Sequence, residues 1–224
     1  IDEKALGAGH PDLMIPLNNL GNVQQRQGKY ASAEEFYRRA LPIAEKSKGA
    51  GHPDVAMILN NLAVVSAAQG KFSDAERLHQ RALAIRETAL AAGHPELANS
   101  LNNLANVYKQ QGKNEEAEAL FRRAIPILEK TLGDNHPEVA ATVNNLAVVS
   151  ESLGKYDQAE ALYRRALPTM EKSLGPNHPN VAAALNNLAI VYEHQGNYAD
   201  AGAFHLRALA IKEKTLGEGH PEPD

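Results

Sequence analysis

The dipeptide His-Pro recurs every 42 residues along this 224-residue chain, and no other feature limits the possible folds as strongly. The segment between successive His-Pro pairs is repeated as well, with LNNLG, LNNLA or VNNLA at one fixed place in each copy. A repeat of this size predicts a stacked array, in which each unit buries its apolar face only against its neighbours. The repeated histidines are His10, His52, His94, His136, His178 and His220.

Each repeat predicts two antiparallel helices. In the second copy, Pro53 suits a first helical position, where its missing N–H costs nothing, and Asp54 lies near the positive end of the helix dipole. Apolar spacing predicts a helix that runs to about Gln69 and ends at Gly70. A second helix is expected from about Ser73. Since no segment alternates like a strand, the predicted fold class is all-α.

Small residues recur at two places in the repeat, where two helix axes must approach closely. Larger side chains there would force the helices apart. One set is Gly21, Ala63, Ala105, Ala147 and Ala189, and the other is Ala33, Ala75, Ala117, Ala159 and Ala201.

The repeats predict one continuous domain over residues 1–224. Residues 1–9 match the end of a repeat and residues 220–224 match the start of another, so we expect a segment of a longer array. Because repeat proteins normally carry polar caps at their ends, apolar ends predict concentration-dependent end-to-end association. The five full repeats are 10–51, 52–93, 94–135, 136–177 and 178–219.

Composition narrows the classes of partner. A net charge of −4 argues against a nucleic-acid binder, which needs a basic surface for the phosphates. The absence of cysteine excludes disulfides and thiolate metal sites. No apolar run is long enough to span a membrane, and the first residues do not form a signal peptide, so we expect a cytoplasmic protein without a membrane partner.

The small and large residues of each copy resemble the tetratricopeptide repeat. In the fifth copy, the residues Leu185, Leu188, Ala189 and Tyr192 match its first helix, and Ala201, His205 and Ala208 match its second helix. The longer period, with HPxVAxxLNNLAxVYxxQGxYxxAxxxxxRALxIxEKxLG, is similar to the repeats of kinesin light chains. The resemblance covers essentially the whole chain. It implies a right-handed superhelix whose first helices line a concave groove for extended peptides.

The groove implied by this resemblance provides the candidate binding residues. In each first helix they lie about 100° or more around the axis from the apolar stripe. We expect them to bind a protein or peptide ligand without any cofactor. They are Asn18, Asn22, Arg26, Asn60, Val64, Asn102, Asn106, Lys109, Asn144, Val148, Glu151, Asn186, Ile190 and Glu193.

Five of these residues form a predicted ladder of amides, and an amide can both donate to and accept from a peptide main chain. The resemblance implies main-chain contacts for them, whereas hydrogen bonds to neighbouring helices are the alternative. The residues that follow them, Asn19, Asn61, Asn103, Asn145 and Asn187, could bond between repeats or contact ligand, because a buried amide must be satisfied. The ladder is Asn18, Asn60, Asn102, Asn144 and Asn186.

The charged candidates suggest a polarised groove. Arg26 and Lys109 are basic, whereas Glu151 and Glu193 are acidic, so a ligand with an acidic stretch at one end would fit. Kinesin light chains favour acidic, Trp-containing ligands, and the two glutamates depart from a uniformly basic groove. The alternative is that these charges are simply solvated.

The regularly spaced histidines do not predict a metal site. Packed helices lie about 8–10 Å apart, whereas zinc needs nitrogens about 2 Å from one point. We expect each of them to cap a helix or pack in a loop, and we expect His79 and His205 to pack in the core.

No motif for a nucleophile or for phosphate binding is present, so we do not expect an enzyme. The predicted function is a protein-interaction scaffold. The alternative is a structural, regulatory or self-associating segment with no peptide in the groove. A row of arginines on the second helices is expected to form ion pairs between repeats: Arg39, Arg81, Arg123, Arg165 and Arg207.

Overall fold

The computed structural model describes residue 7 and residues 9–217, apart from the side chains of residues 216 and 217. Within this part of the chain there are ten α-helices, one short 3-10 helix and no strand, so the predicted all-α class is confirmed. The predicted partial repeats lie outside the described residues except for residues 7 and 9, and so does His220. The chain divides into two compact units, Ile1–Gly112 and Lys113–Asp224.

In each unit, every helix packs against the next helix in sequence. Odd-numbered helices are the first helices of repeats, and even-numbered helices are the second. Unit 1 contains the 3-10 helix Pro11–Leu13 followed by α1 Met14–Arg26, α2 Tyr30–Lys48, α3 Pro53–Ala68, α4 Phe72–Ala89 and α5 Pro95–Gln110. Unit 2 contains α6 Asn114–Leu132, α7 Pro137–Ser152, α8 Tyr156–Leu174, α9 Pro179–His194 and α10 Tyr198–Gly217.

The His-Pro pairs start the first helices in the way the sequence predicts. The proline occupies the first helical position, and the histidine Nδ1 accepts a hydrogen bond of 3.1–3.3 Å from the backbone N–H two residues later. This bond satisfies one of the N–H groups that a helix leaves unpaired at its start. The capping role is therefore confirmed for His10, His52, His94, His136 and His178.

The turn inside each repeat also follows the sequence. Gly70 has a φ of +75°, which a residue with a side chain rarely adopts, and it separates α3 from α4. The second helix begins at Phe72, one residue before the predicted start.

The two sets of small residues are buried, as expected where helices pack closely. Their alanines are at most 2% exposed. Gly21 is the tightest position, because a Cβ added there would lie 2.4 Å from Cε1 of Tyr37. In the second repeat the same two positions hold Ala63 and His79. The fourth repeat combines Ala147 with a buried Tyr163, so the close approach of the Tyr37 ring is a feature of the first repeat.

We expect Gly21→Ala to destabilise the chain. Overpacking in a core costs about 1–3 kcal/mol, which outweighs the gain of about 1 kcal/mol in helix propensity. Adding Tyr37→His, which recreates the Ala63 and His79 combination, should recover stability. The measurement is the midpoint of thermal unfolding followed by circular dichroism.

Gly202→Ala is the matched control, because a Cβ at that position meets nothing within 4 Å. It should raise the midpoint through helix propensity alone. Equal effects of Gly21→Ala and Gly202→Ala would show that the Tyr37 ring does not limit this contact.

Candidate functional site

The predicted binding residues all lie on first helices, eight in unit 1 and six in unit 2. Most are partly exposed, while Arg26 and Glu193 are exposed and Asn18 is buried with only 5% of its surface accessible. Within each unit, packing of successive repeats brings first helices near one another. Their role in binding a ligand stays a prediction, and Asn18 has little surface to offer one.

Hydrogen bonds between repeats occupy several amides of the ladder. Asn61 Nδ2 donates to Asn18 Oδ1 at 3.1 Å, and Asn103 Nδ2 donates to Asn60 Oδ1 at 3.0 Å. For Asn61 and Asn103, bonding between repeats is therefore the observed role. Because only the oxygens of Asn18 and Asn60 are used in this way, their NH₂ groups keep their donors.

One position of the second helices varies between repeats. It holds Tyr37, His79, Phe121, Tyr163 and His205. In unit 1 the Tyr37 hydroxyl lies 2.8 Å from both Asn22 Oδ1 and Gln25 Oε1. It has one proton and donates it to one of them at a time. Asn22, a candidate ligand contact, is thus also a partner of the core.

In unit 2 the same position carries a different network. The buried Tyr163 hydroxyl donates to Glu151 Oε2 at 2.8 Å. Burial raises the pKa of Tyr163, and the Glu151 charge adds to this effect. Burial also raises the pKa of Glu151, against the lowering effect of the Tyr163 bond. Glu151 is therefore a partly buried, hydrogen-bonded carboxylate rather than a solvated charge.

The two histidines at this position behave differently. His79 packs in the core with 1% of its surface exposed, as predicted, and burial with the nearby Arg86 charge lowers its pKa to about 4. An open, mostly apolar cleft of about 420 Å³ lies beside it, lined by Val64, Ala67 and Val107 among others.

The core prediction is wrong for His205. Its side chain is 35% exposed, with Nδ1 3.1 Å from Asn186 Oδ1 and Nε2 3.3 Å from Glu193 Oε1. His205 and Gly202 line one open cleft, and Gly202 has no side chain that could cover the His205 ring.

The charged candidates differ between the units. In unit 1 they are Arg26, which is exposed, and Lys109, which is partly buried. Burial lowers the pKa of Lys109. In unit 2 they are Glu151 and the exposed Glu193. Each unit, taken by itself, offers charges of one sign among its candidate residues.

Hydrogen bonds from residues of the next repeat to glutamates of the second helices were not predicted from the sequence. Glu34 on α2 accepts hydrogen bonds from Lys71 Nζ at 2.8 Å and Gln69 Nε2 at 2.9 Å, both in the next repeat. The Lys71 bond is the largest cause that lowers the Glu34 pKa to about 2. Glu118 pairs with Lys155, and Glu160 with Gln195, in the same way. The 42-residue recurrence of glutamate on the second helices was the available signal, and Gly202 breaks it.

Ion pairs between repeats involve the predicted arginine row. Arg81 pairs with Glu45, Arg165 with Glu129 and Arg207 with Glu171. All three pairs are partly solvated, so each contributes little stability.

Two further observations concern residues 7 and 9–217. In this range no three His, Asp or Glu side chains are grouped so that they could hold a metal ion. Within the same limits, the chain contains no helix with the length and apolar character needed to cross a membrane.

Comparison with known families agrees with the repeated helix pairs. The tetratricopeptide repeat model matches residues 1–46, 12–88, 54–130, 96–172 and 138–214. The chain belongs to the tetratricopeptide repeat family. Among curated protein sequences, none matches this chain.

Several solved structures are similar to this tetratricopeptide repeat chain. BtubC (BKLC) from P. vanneervenii is 28% identical with a TM-score of 0.78, and the match covers 96% of this chain and 85% of that one. A putative kinesin light chain from Podosopora anserina is 27% identical with a TM-score of 0.77, over 92% and 98% of the two chains. YrrB, described as a TPR protein with an unusual peptide-binding site, shares the fold at 18% identity, with a TM-score of 0.62 over 90% and 88%. The resemblance to kinesin light chain repeats is thus confirmed.

We expect His79 to make stability depend on pH. Its pKa is about 4 in the folded chain and 6.5 ordinarily, so the unfolded chain binds more protons between these values. The free energy of unfolding should therefore fall as the pH drops from 6.5 towards 4. His79→Phe should remove this part of the slope, and Phe121 shows that the ring suits the position.

Urea denaturation at a series of pH values measures the slope. His205→Phe is the control, because it changes the same repeat position and leaves His79 in place. A slope that is the same in the His79→Phe variant and the unmodified chain would contradict the assignment.

Proposed function

We propose that the chain is a protein-interaction module that binds an extended peptide segment of a partner protein along its first helices. One observation carries this proposal. Glu34, Glu118 and Glu160 of the second helices are engaged between repeats, whereas the first helices keep partly exposed amide, apolar and charged residues at regular spacing. This surface can offer donors to a peptide main chain together with contacts for its side chains.

The relatives support this class of function. Proteins built from tetratricopeptide repeats are typically scaffolds rather than enzymes. YrrB is described as having a peptide-binding site, and the Podosopora anserina protein is described as a putative kinesin light chain with nearly identical TPR-like repeats. A scaffold of this kind needs no cofactor.

Specificity would come from the residues between the amides. In unit 1, Val64 lines the apolar cleft beside His79, which suits an apolar side chain of the ligand. Arg26 and Lys109 favour an acidic ligand segment there. In unit 2, Glu151 and Glu193 favour a basic segment, and Val148 and Ile190 add apolar contact. A ligand segment bound to unit 1 would therefore differ in charge from one bound to unit 2.

A second candidate function is self-association without a peptide. Leu206 on α10 is 68% exposed and stands where earlier repeats have arginine or glutamine. Such a leucine would favour contact with a second copy.

Selection of ligands from a random 12-residue phage-display library, followed by calorimetry, tests the first candidate. We expect Asn60→Ala with Asn102→Ala, or Asn144→Ala with Asn186→Ala, to weaken the selected peptide about tenfold, since two neutral hydrogen bonds are lost. Gln80→Ala with Arg122→Ala is the control on second helices and should leave affinity unchanged.

Loss of affinity only in the second-helix control would contradict the proposed surface. If no peptide is selected and light scattering shows a mass that rises with concentration, self-association is the better description.

A further inference from the structure

The face of α4 that packs on α5 carries two buried polar side chains. His79 and Arg86 lie seven residues apart, which places them on the same side of the helix, and only 1% and 5% of their surfaces are exposed. Of the first four repeats, only the second has a charged residue at either position. The other three have the buried pairs Tyr37 and Ala44, Phe121 and Leu128, and Tyr163 and Met170.

The charge of Arg86 is only partly compensated by α5. Arg86 Nη1 donates to Ser100 Oγ at 2.5 Å, and Arg86 Nε lies 3.4 Å from Glu96 Oε2. The Nε–H group is covered, yet it has no hydrogen-bond partner among the described residues. The Glu96 side chain is 48% exposed, so water competes for its carboxylate. Apolar residues in place of a buried ion pair often raise stability, because removing the charges from water costs more than their attraction returns.

The space beside this contact is incompletely filled. The open cleft next to His79, with about 420 Å³ of empty space, is lined by residues of α3, α4 and α5, among them Ala67 and Val107. His79 Nδ1 is covered by protein atoms and has no hydrogen-bond partner in the described part of the chain. Side chains that line a void lose the contacts that a filled core would give them. Both the buried polar groups and the void therefore weaken the packing of α5 on α4.

The connection from α4 to α5 also differs from those of the neighbouring repeats. Ala91 stands where Gly49, Gly133 and Gly175 have φ angles of 87° to 92°, a conformation that favours glycine. Leu90 is instead extended, with φ −120° and ψ 154°. As a result α4 ends one residue earlier in its repeat than α2, α6 and α8 do. The second and third repeats are thus joined by a connection without the glycine conformation that the others share.

We propose that the contact between α4 and α5 is the opening point of unit 1. In the open arrangement α5 separates locally from α4 while α3 stays packed, and the cleft beside His79 widens. Arg86 and His79 favour the opening because they gain hydrogen bonds to water that the closed arrangement denies them. The opening is a property of the free chain, so the inference does not depend on the proposed peptide-binding function.

Hydrogen–deuterium exchange followed by mass spectrometry tests the opening in the unmodified chain. After correction for intrinsic exchange rates, the hydrogen-bonded backbone amides of α5 should exchange about tenfold faster than those of α3, which is another first helix of the same unit. Equal protection of the two helices would overturn the inference.

A double variant tests the role of the buried charge. Arg86→Met with Ser100→Ala reproduces Met170 and Ala184, which hold the same places in the fourth and fifth repeats and are buried there. It should slow the exchange of α5 about tenfold and leave α3 unchanged, since apolar packing replaces the poorly compensated charge. Ser100→Ala alone should speed the exchange of α5, because Arg86 then loses its hydrogen bond and stays buried.

Met170→Leu is the matched control, because it exchanges one apolar residue for another at the same repeat position in unit 2. It should leave the exchange of α5 unchanged. Unchanged or faster exchange of α5 in the double variant would show that the Arg86 pair holds the contact closed, and the inference would then fail. No peptide is used in these measurements, so their outcome is separate from that of the proposed function.

Discussion

Close packing of successive helices within each unit is the contact on which the other features depend. Alanine or glycine at two repeated positions lets the helices approach. Packing of successive repeats then brings Glu34 to Lys71 and Asn18 to Asn61. Several glutamates of the second helices are satisfied in this way, and the first helices keep partly exposed amide, apolar and charged residues for a partner.

A single variable position in the second helix adjusts what that surface offers. Tyr37 takes up the oxygens of Asn22 and Gln25, whereas His79 lines an apolar cleft beside Val64. The Tyr163 hydroxyl donates to Glu151. Buried side chains of the second helices thus change the chemistry of neighbouring first-helix residues. Nearly identical repeats can in this way present different binding surfaces.

Much of the fold could be predicted from the sequence because the repeat shows the same local signals five times. The His-Pro caps, the turn at Gly70 and the small residues depend on local geometry, and the structure confirms them. Pairing between repeats was harder to foresee. Periodicity indicates the face of a helix, but it does not decide which of several amides or carboxylates takes a shared proton. For this reason the burial of Asn18, the hydrogen bonds of Glu34 to the next repeat and the exposure of His205 were not predicted.

A crystal structure of the chain with its selected peptide tests the proposed binding surface most directly. We expect the peptide to lie extended on first helices, with its main chain within hydrogen-bond distance of first-helix amides such as Asn60 and Asn144. A peptide seated on the outer side of the second helices, with the first-helix amides unchanged, would contradict it.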